Sequence, residues 1–226
     1  MVLTYTDFDI GQLTFAPKVA TSRAGGKYVS VAYHLQQVEF QLGTSPRDTM
    51  RTPFGAELAA RDDPTSAMVV KIELDGSKQR FIERIEAATT TAAQLNSQEW
   101  FGRSNPSAVH NSLLKEQNGD RPPVLKLKIA TGPRATVISV ASLTNGKLSR
   151  PVLGSVEDIK PGVSLLPVIR IQGGVYFINR TYGTSLVASA ILVVKNLDCV
   201  ETNKEPLEFN LGDVEMIDAE VSDEDL

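Results

Sequence analysis

The chain changes its hydrophobic period, and that change limits what it can fold into. Met68 to Leu74 alternates strictly: Met68, Val70, Ile72 and Leu74 face one way, and Val69, Lys71 and Glu73 the other. This is the pattern of a strand in a sheet with one wet face. Directly afterwards, Phe81, Ile85, Ala88, Ala92 and Leu95 sit three and four apart, which makes one apolar stripe along a helix. Asp75 or Ser77 can cap its start. The run Thr89-Thr90-Thr91 is poor helix material, so the stripe must be held by packing on a sheet.

Strand signals flank this helix on both sides. Tyr28 to Tyr33 is rich in β-branched and aromatic residues and follows Gly25-Gly26, while Val38, Phe40 and Leu42 alternate with Glu39 and Gln41. Beyond Arg121-Pro122-Pro123, the segment Val124 to Ile129 places Leu125, Leu127 and Ile129 inward and Lys126 and Lys128 outward. Thr136 to Leu143 is a further strand, turned by Asn145-Gly146. Val163 to Gln172 and Val175 to Ile178, separated by Gly173-Gly174, read as a hairpin. Tyr182-Gly183 reads as another turn before a long apolar strand, Leu186 to Leu197, expected to be central. Gly43 to Pro64 and Gly102 to Pro123 are loop-like, with a short helix after Asn105-Pro106. Strands, one helix, then more strands indicate an α+β fold, mostly β. Its most economical form is an OB-like antiparallel β-barrel of five strands with one long helix, closed or partly closed, and additional N-terminal strands.

Charge divides the chain unevenly. Of 27 acids, nine lie in Glu205 to Leu226, a stretch without Lys or Arg, so residues 1–204 hold 18 acids against all 23 bases. The expected organisation is a basic domain over 1–204 and an acidic disordered tail over 205–226. Such a split fits a protein that binds a polyanion and carries its own competitor for that site; a tail that merely aids solubility fits it too. The N-terminus has neither a basic nor an apolar segment of the signal-peptide kind, and Leu186 to Val194 is too short to cross a bilayer. No membrane partner is expected. One cysteine, Cys199, leaves no internal disulfide and no cysteine-based zinc site. The expected compartment is reducing: nucleus, cytoplasm or a viral replication site.

Catalysis finds little support. His34 and His110 lie in no metal-spaced cluster, Cys199 follows an apolar strand, and nucleophile-elbow, phosphate-loop and dinucleotide motifs are missing. No enzyme activity and no cofactor are expected. Binding of single-stranded nucleic acid needs cations for phosphates and exposed rings for bases. Arg51, Lys126, Lys128, Arg170 and Arg180 are candidate cations; Phe54, Trp100, Tyr176 and Tyr182 are candidate rings, with Tyr28 among further ones. Each has a plainer alternative. Outward lysines solvate a strand, a Trp near a helix end packs in a core, and Phe54, between Pro53 and Gly55, is either anchored or functional. Phe177 has the opposite parity to Tyr176, so one of the pair at most stacks on a base.

Several segments together carry a resemblance: Met50-Arg51-Thr52-Pro53-Phe54-Gly55, Asn96-Ser97 with Trp100-Phe101, Pro122 to Ile129, and Gly174-Val175-Tyr176-Phe177 with Tyr182-Gly183. The chain resembles the single-stranded-DNA-binding proteins of nucleocytoplasmic large DNA viruses. In its order of parts it is similar to the replication protein of that kind from short-tailed bacteriophages. The resemblance implies an OB barrel, sequence-independent binding of single-stranded DNA, and a role in DNA replication, recombination or repair. It further implies that the tail, through Asp218, Glu220, Asp223, Glu224, Asp225 and Leu226, competes with DNA and recruits replication proteins. Such tails often end in an aromatic residue, whereas this chain ends in Leu226. A β-rich structural or adaptor protein and an RNA-binding relative remain the alternatives, and a homo-oligomer stays open.

Overall fold

The computed structural model describes residues 2–22, 25–60, 63, 65–102, 109–117, 121–178 and 180–196. The acidic segment 205–226, Cys199, Leu197 and the short helix expected after Asn105-Pro106 lie outside the described residues. Nine strands frame the site: β1 (Lys27–Val29), β2 (Glu39–Gln41), β3 (Met68–Glu73), β4 (Val109–Asn111), β5 (Leu114–Lys115), β6 (Val124–Ile129), β7 (Val137–Thr144), β8 (Ser164–Ile178) and β9 (Thr181–Asn196). They belong to one large sheet in the order β2-β8-β9-β6-β3. A separate three-stranded sheet, Leu13–Phe15 with Val31–Tyr33 and Gln36–Gln37, supplies the additional N-terminal strands. The mostly-β α+β architecture with one long helix is as the sequence implies.

The sheet departs from the expected barrel in two ways. It is mixed: β9 runs antiparallel to β8 on one edge and parallel to β4, β6 and β7 in succession on the other. Parallel neighbours need long crossovers, and the chain between β4 and β9 provides them. Among the described residues, no ladder closes the sheet on itself. β9 is central, as its long apolar run implies.

β3 and β6 alternate as read, pairing Lys71 with Lys126 and Val70 with Leu127. Helix α1 (Gly76–Leu95) is capped by Asp75, whose side chain accepts from the Ser77 and Lys78 amides. Its buried face is Lys78, Phe81, Ile82, Ile85, Thr89 and Ala93 rather than the full expected stripe; Leu95 is exposed. Two polar residues can lie on that face because each is satisfied. Thr89 Oγ1 donates back to the carbonyls of Ile85 and Glu86, and Lys78 is paired with Asp48 and Asp75. Phe81 meets Phe40 edge-on, with centroids 5.1 Å apart. A short helix α2 (Ser97–Phe101) follows, burying Trp100 and Phe101 in the same core.

Two turns are not where the sequence places them. Gly173-Gly174 is not a hairpin but a bulge inside the continuous strand β8, where the register against β9 shifts between Gln172 and Val175. Both glycines have positive φ, a conformation that suits a bulge as well as a turn. At Gly174 a Cβ would stand 1.9 Å from the Val29 carbonyl oxygen, so β1 can approach only a glycine there. The reversal between β8 and β9 falls instead at Arg180, which has φ 63. Tyr182-Gly183 is strand.

Candidate nucleic-acid interface

Cross-strand pairing sorts the outer face of the sheet along β9. Gly183 lies opposite Tyr176, which is in turn opposite Tyr28; Ser185 lies opposite Gln172; Val187 lies between Arg170 and Lys128. Directly paired residues share a face, so this face carries two tyrosine rings, then an amide and a hydroxyl, then cations. Lys126 and Lys71 continue it onto β6 and β3.

Two adjoining recesses lie here. The first, of about 440 Å³, is lined by Tyr28 and Tyr176, by Gln172, Thr184 and Ser185, and by Lys115, Lys126 and Lys128. The second, of about 590 Å³, is lined by Phe54, Lys71, Lys115, Glu116, Arg121 and Lys126 among others. Lys115 and Lys126 belong to both, so the two form one groove with tyrosines at one end and Phe54 at the other. Phe54 is 40% exposed. Lys71 lies over its ring, 5.1 Å from the centroid, while pairing with Glu57 at 2.6 Å. Burial pushes the Lys128 ammonium below the ordinary lysine range, and the charge of Lys126 pushes it the same way. An anion bound beside these two lysines would relieve that repulsion.

The wall opposite the tyrosines is the segment containing β4 and β5. Asn111 Nδ2 donates to Tyr176 Oη at 2.6 Å, and Lys115 Nζ donates to Asn111 Oδ1 at 2.9 Å. This approach needs Gly183, where a Cβ would stand 2.9 Å from the Asn111 carbonyl oxygen and 3.2 Å from Tyr176 Oη. Helix α1 holds the same segment from behind. The Glu86 carboxylate accepts from the Leu113 amide at 3.1 Å and from Ser112 Oγ at 3.2 Å, and lies 3.3 Å from His110 Nε2.

Of the residues singled out in the sequence, Lys126, Lys128, Tyr176 and Phe54 line the groove. Arg170 shares the face, half-buried, beyond Gln172. Arg180 is exposed in the β8–β9 turn, near Ile178 at the groove's edge. Three others lie elsewhere. Trp100 is 4% exposed and packs on Phe15 and Phe101. Tyr182 is 7% exposed, because its strand parity turns it inward beside His110. Arg51 is exposed but opposite Ser164, at the other end of the fifteen-residue β8. Phe177 stacks on Phe101 at 5.0 Å, leaving Tyr176 to the groove. Lys71, Lys115, Arg121 and Asn111 were not among the sequence candidates. Three of them lie in or beside stretches that read as loop, and only the outward parity of Lys71 in β3 marked it beforehand.

Among the described residues, no group of three or more metal-ligating side chains occurs, and no helix is long and apolar enough to cross a membrane. No protein-family model and no curated protein matches the chain. Among solved structures it is similar to the single-stranded-DNA-binding protein from bacteriophage Enc34 in complex with single-stranded DNA. The identity is 12% and the TM-score 0.42, over 78% of this chain and 94% of that one. It is also similar to gp2.5, a single-stranded-DNA-binding protein encoded by bacteriophage T7, at 17% identity and TM-score 0.42, over 70% of this chain and 87% of that one. Both likenesses are distant.

Proposed function

We propose that the chain binds single-stranded DNA along the groove between Tyr176 and Phe54. One observation carries this reading: Lys71, Lys115, Arg121, Lys126 and Lys128 line one continuous groove with aromatic rings at both ends, against the single acid Glu116 among the described residues that line it. The cations neutralise phosphates and release counterions, so affinity falls steeply with salt. The rings stack on base faces, which a duplex hides and a single strand exposes, and stacking does not choose among bases. The protein acts without sequence preference in DNA replication, recombination or repair, in the nucleus or cytoplasm. We extend the proposal to kinship with the proteins of this kind from nucleocytoplasmic large DNA viruses.

In this account, the acidic segment 205–226 occupies the groove when DNA is absent. Once displaced, it presents Asp218, Glu220, Asp223, Glu224, Asp225 and Leu226 to replication proteins. The charge split of the chain motivates this part. Deleting Gly212 to Leu226 is expected to tighten DNA binding at low salt; unchanged affinity would refute the competition.

The direct test is fluorescence anisotropy with a labelled oligo-dT of about thirty nucleotides, chosen to exceed site sizes of roughly 4–16 nucleotides per domain. It is run beside the duplex and an oligo-U of equal length. Salt-sensitive binding to the DNA strand, tighter than to the duplex, is expected. Preference for oligo-U would make the partner RNA, and binding to none would leave an interaction protein of another kind.

A further inference from the structure

Several polar side chains lining the recess beside Tyr176 are already engaged. Asn111 is held between Lys115 and Tyr176, Ser112 donates to Glu86, and Ser22 accepts from the Gly26 amide. The Tyr28 hydroxyl and the Lys126 and Lys128 ammoniums make no hydrogen bond among the described residues, and neither do three adjoining neutral groups. The Gln172 carboxamide and the Ser185 hydroxyl, on paired positions of β8 and β9, make no hydrogen bond. Beside them, Thr184 is 6% exposed, and its Oγ1 is buried without a partner. Donor and acceptor capacity of this kind, left open next to an aromatic ring, is what a nucleobase edge would fill.

The bulge sets the spacing. Gln172 and Tyr176 are four residues apart on β8, but their partners on β9, Ser185 and Gly183, are only two apart, because Gly173 and Gly174 drop out of the ladder. An unbulged strand would separate amide and ring by two same-face steps, about 13 Å; here β9 leaves one step, about 7 Å. A base stacked on the Tyr176 ring therefore has its edge within reach of the amide.

We infer that this recess reads the hydrogen-bonding edge of one nucleobase, with the Gln172 carboxamide as the reading group and Tyr176 as its platform. The inference rests on the single-strand reading above. A carboxamide offers a donor and an acceptor side by side and can turn over to exchange them. It can therefore pair with the edge of any base, which makes binding dependent on the base edge yet tolerant of sequence.

The test compares oligo-dT with the same oligomer built from N3-methylthymidine, which keeps the ring face for stacking but blocks the edge. Wild-type protein is expected to bind oligo-dT about fivefold or more tighter than the methylated strand. Gln172→Ala is expected to bind the two alike, at the wild-type level for the methylated strand, with its salt dependence unchanged. Gln172→Asn should restore part of the difference. Tyr176→Ala should weaken both strands. Equal binding of the two strands by wild type, or a difference that persists in Gln172→Ala, overturns the inference alone. Failure of wild type to bind either strand overturns the single-strand reading and the inference with it.

Discussion

At the scale of single residues, the rings separate by burial into two populations with opposite expected behaviour. Tyr176 lines the groove, so Tyr176→Ala should cost about 1–3 kcal/mol of strand binding with little change in stability. Trp100 sits in the core at 4% exposure, so Trp100→Ala should cost about 3–5 kcal/mol of folding stability and leave the affinity of the folded fraction intact. Chemical denaturation beside anisotropy separates the two. Residue type alone does not reveal this division. Lys126 and Lys128 are legible in the sequence because they alternate with Leu125 and Leu127. Trp100 and Tyr182 are not, because the side to which a ring turns is fixed by partners distant in sequence.

Lys78 makes a second residue-scale case. Its ammonium is buried between Asp48 and Asp75 and lies over the Tyr5 ring. Burial pushes the two carboxyls up, but the hydrogen bonds and charge of Lys78, together with hydrogen bonds from Thr44 to Asp48 and from Ser77 to Asp75, outweigh it, and both are held below the ordinary value of 3.8. Burial likewise pushes Lys78 down, and its two carboxylate partners carry it above 10.5. Depressed acids contribute stability that is present above their unfolded value and lost as pH falls through the folded one. The raised lysine contributes stability that is lost only as pH rises through its own, higher value. The melting temperature should therefore hold across the neutral range and fall first on the acid side, below about pH 4. Asp48→Asn should lower it at neutral pH, because a buried ammonium keeps one carboxylate instead of two, and should shrink the acid-side fall.

At the scale of elements, the segment containing β4 and β5 and the β8 bulge shape the groove. Glu86 of α1 ties the segment down through Ser112, Leu113 and His110, so Glu86→Ala should weaken strand binding without removing a phosphate contact. The expected signature is lower affinity at every salt concentration with the same salt slope. Gly174 has positive φ and no room for a Cβ; Gly174→Ala should cost on the order of 1–3 kcal/mol in stability from backbone conformation alone. The double glycine also shows where sequence reading stops. Gly-Gly serves a hairpin turn and a bulge equally well, and only the pairing of residues on both sides of it with β9 decides between them. The short strands β4 and β5 escape for a related reason. With two and three residues, they have no period to read and exist through their partners.

At the scale of the whole molecule, the mostly-β fold with one helix follows from the two hydrophobic periods, and the central position of β9 follows from its apolar run. The mixed direction of its neighbours does not, because alternation is the same in parallel and antiparallel strands. The groove emerges only at this scale, since Lys71, Lys115 and Lys126 come from three strands and Phe54 from a loop.

The measurement closest to the central claim is the salt dependence of oligo-dT binding for three proteins: wild type, a Lys115→Ala/Lys126→Ala/Lys128→Ala variant, and an Arg51→Ala/Lys147→Ala/Arg150→Ala variant. The last three residues are exposed and line neither recess. Each lost phosphate contact reduces the slope of log affinity against log salt by about 0.7 for a single strand. The groove variant should therefore lose about two units of slope and the second variant none. A full slope in the groove variant, or a loss confined to the second, would contradict the assignment of the groove as the DNA-binding surface.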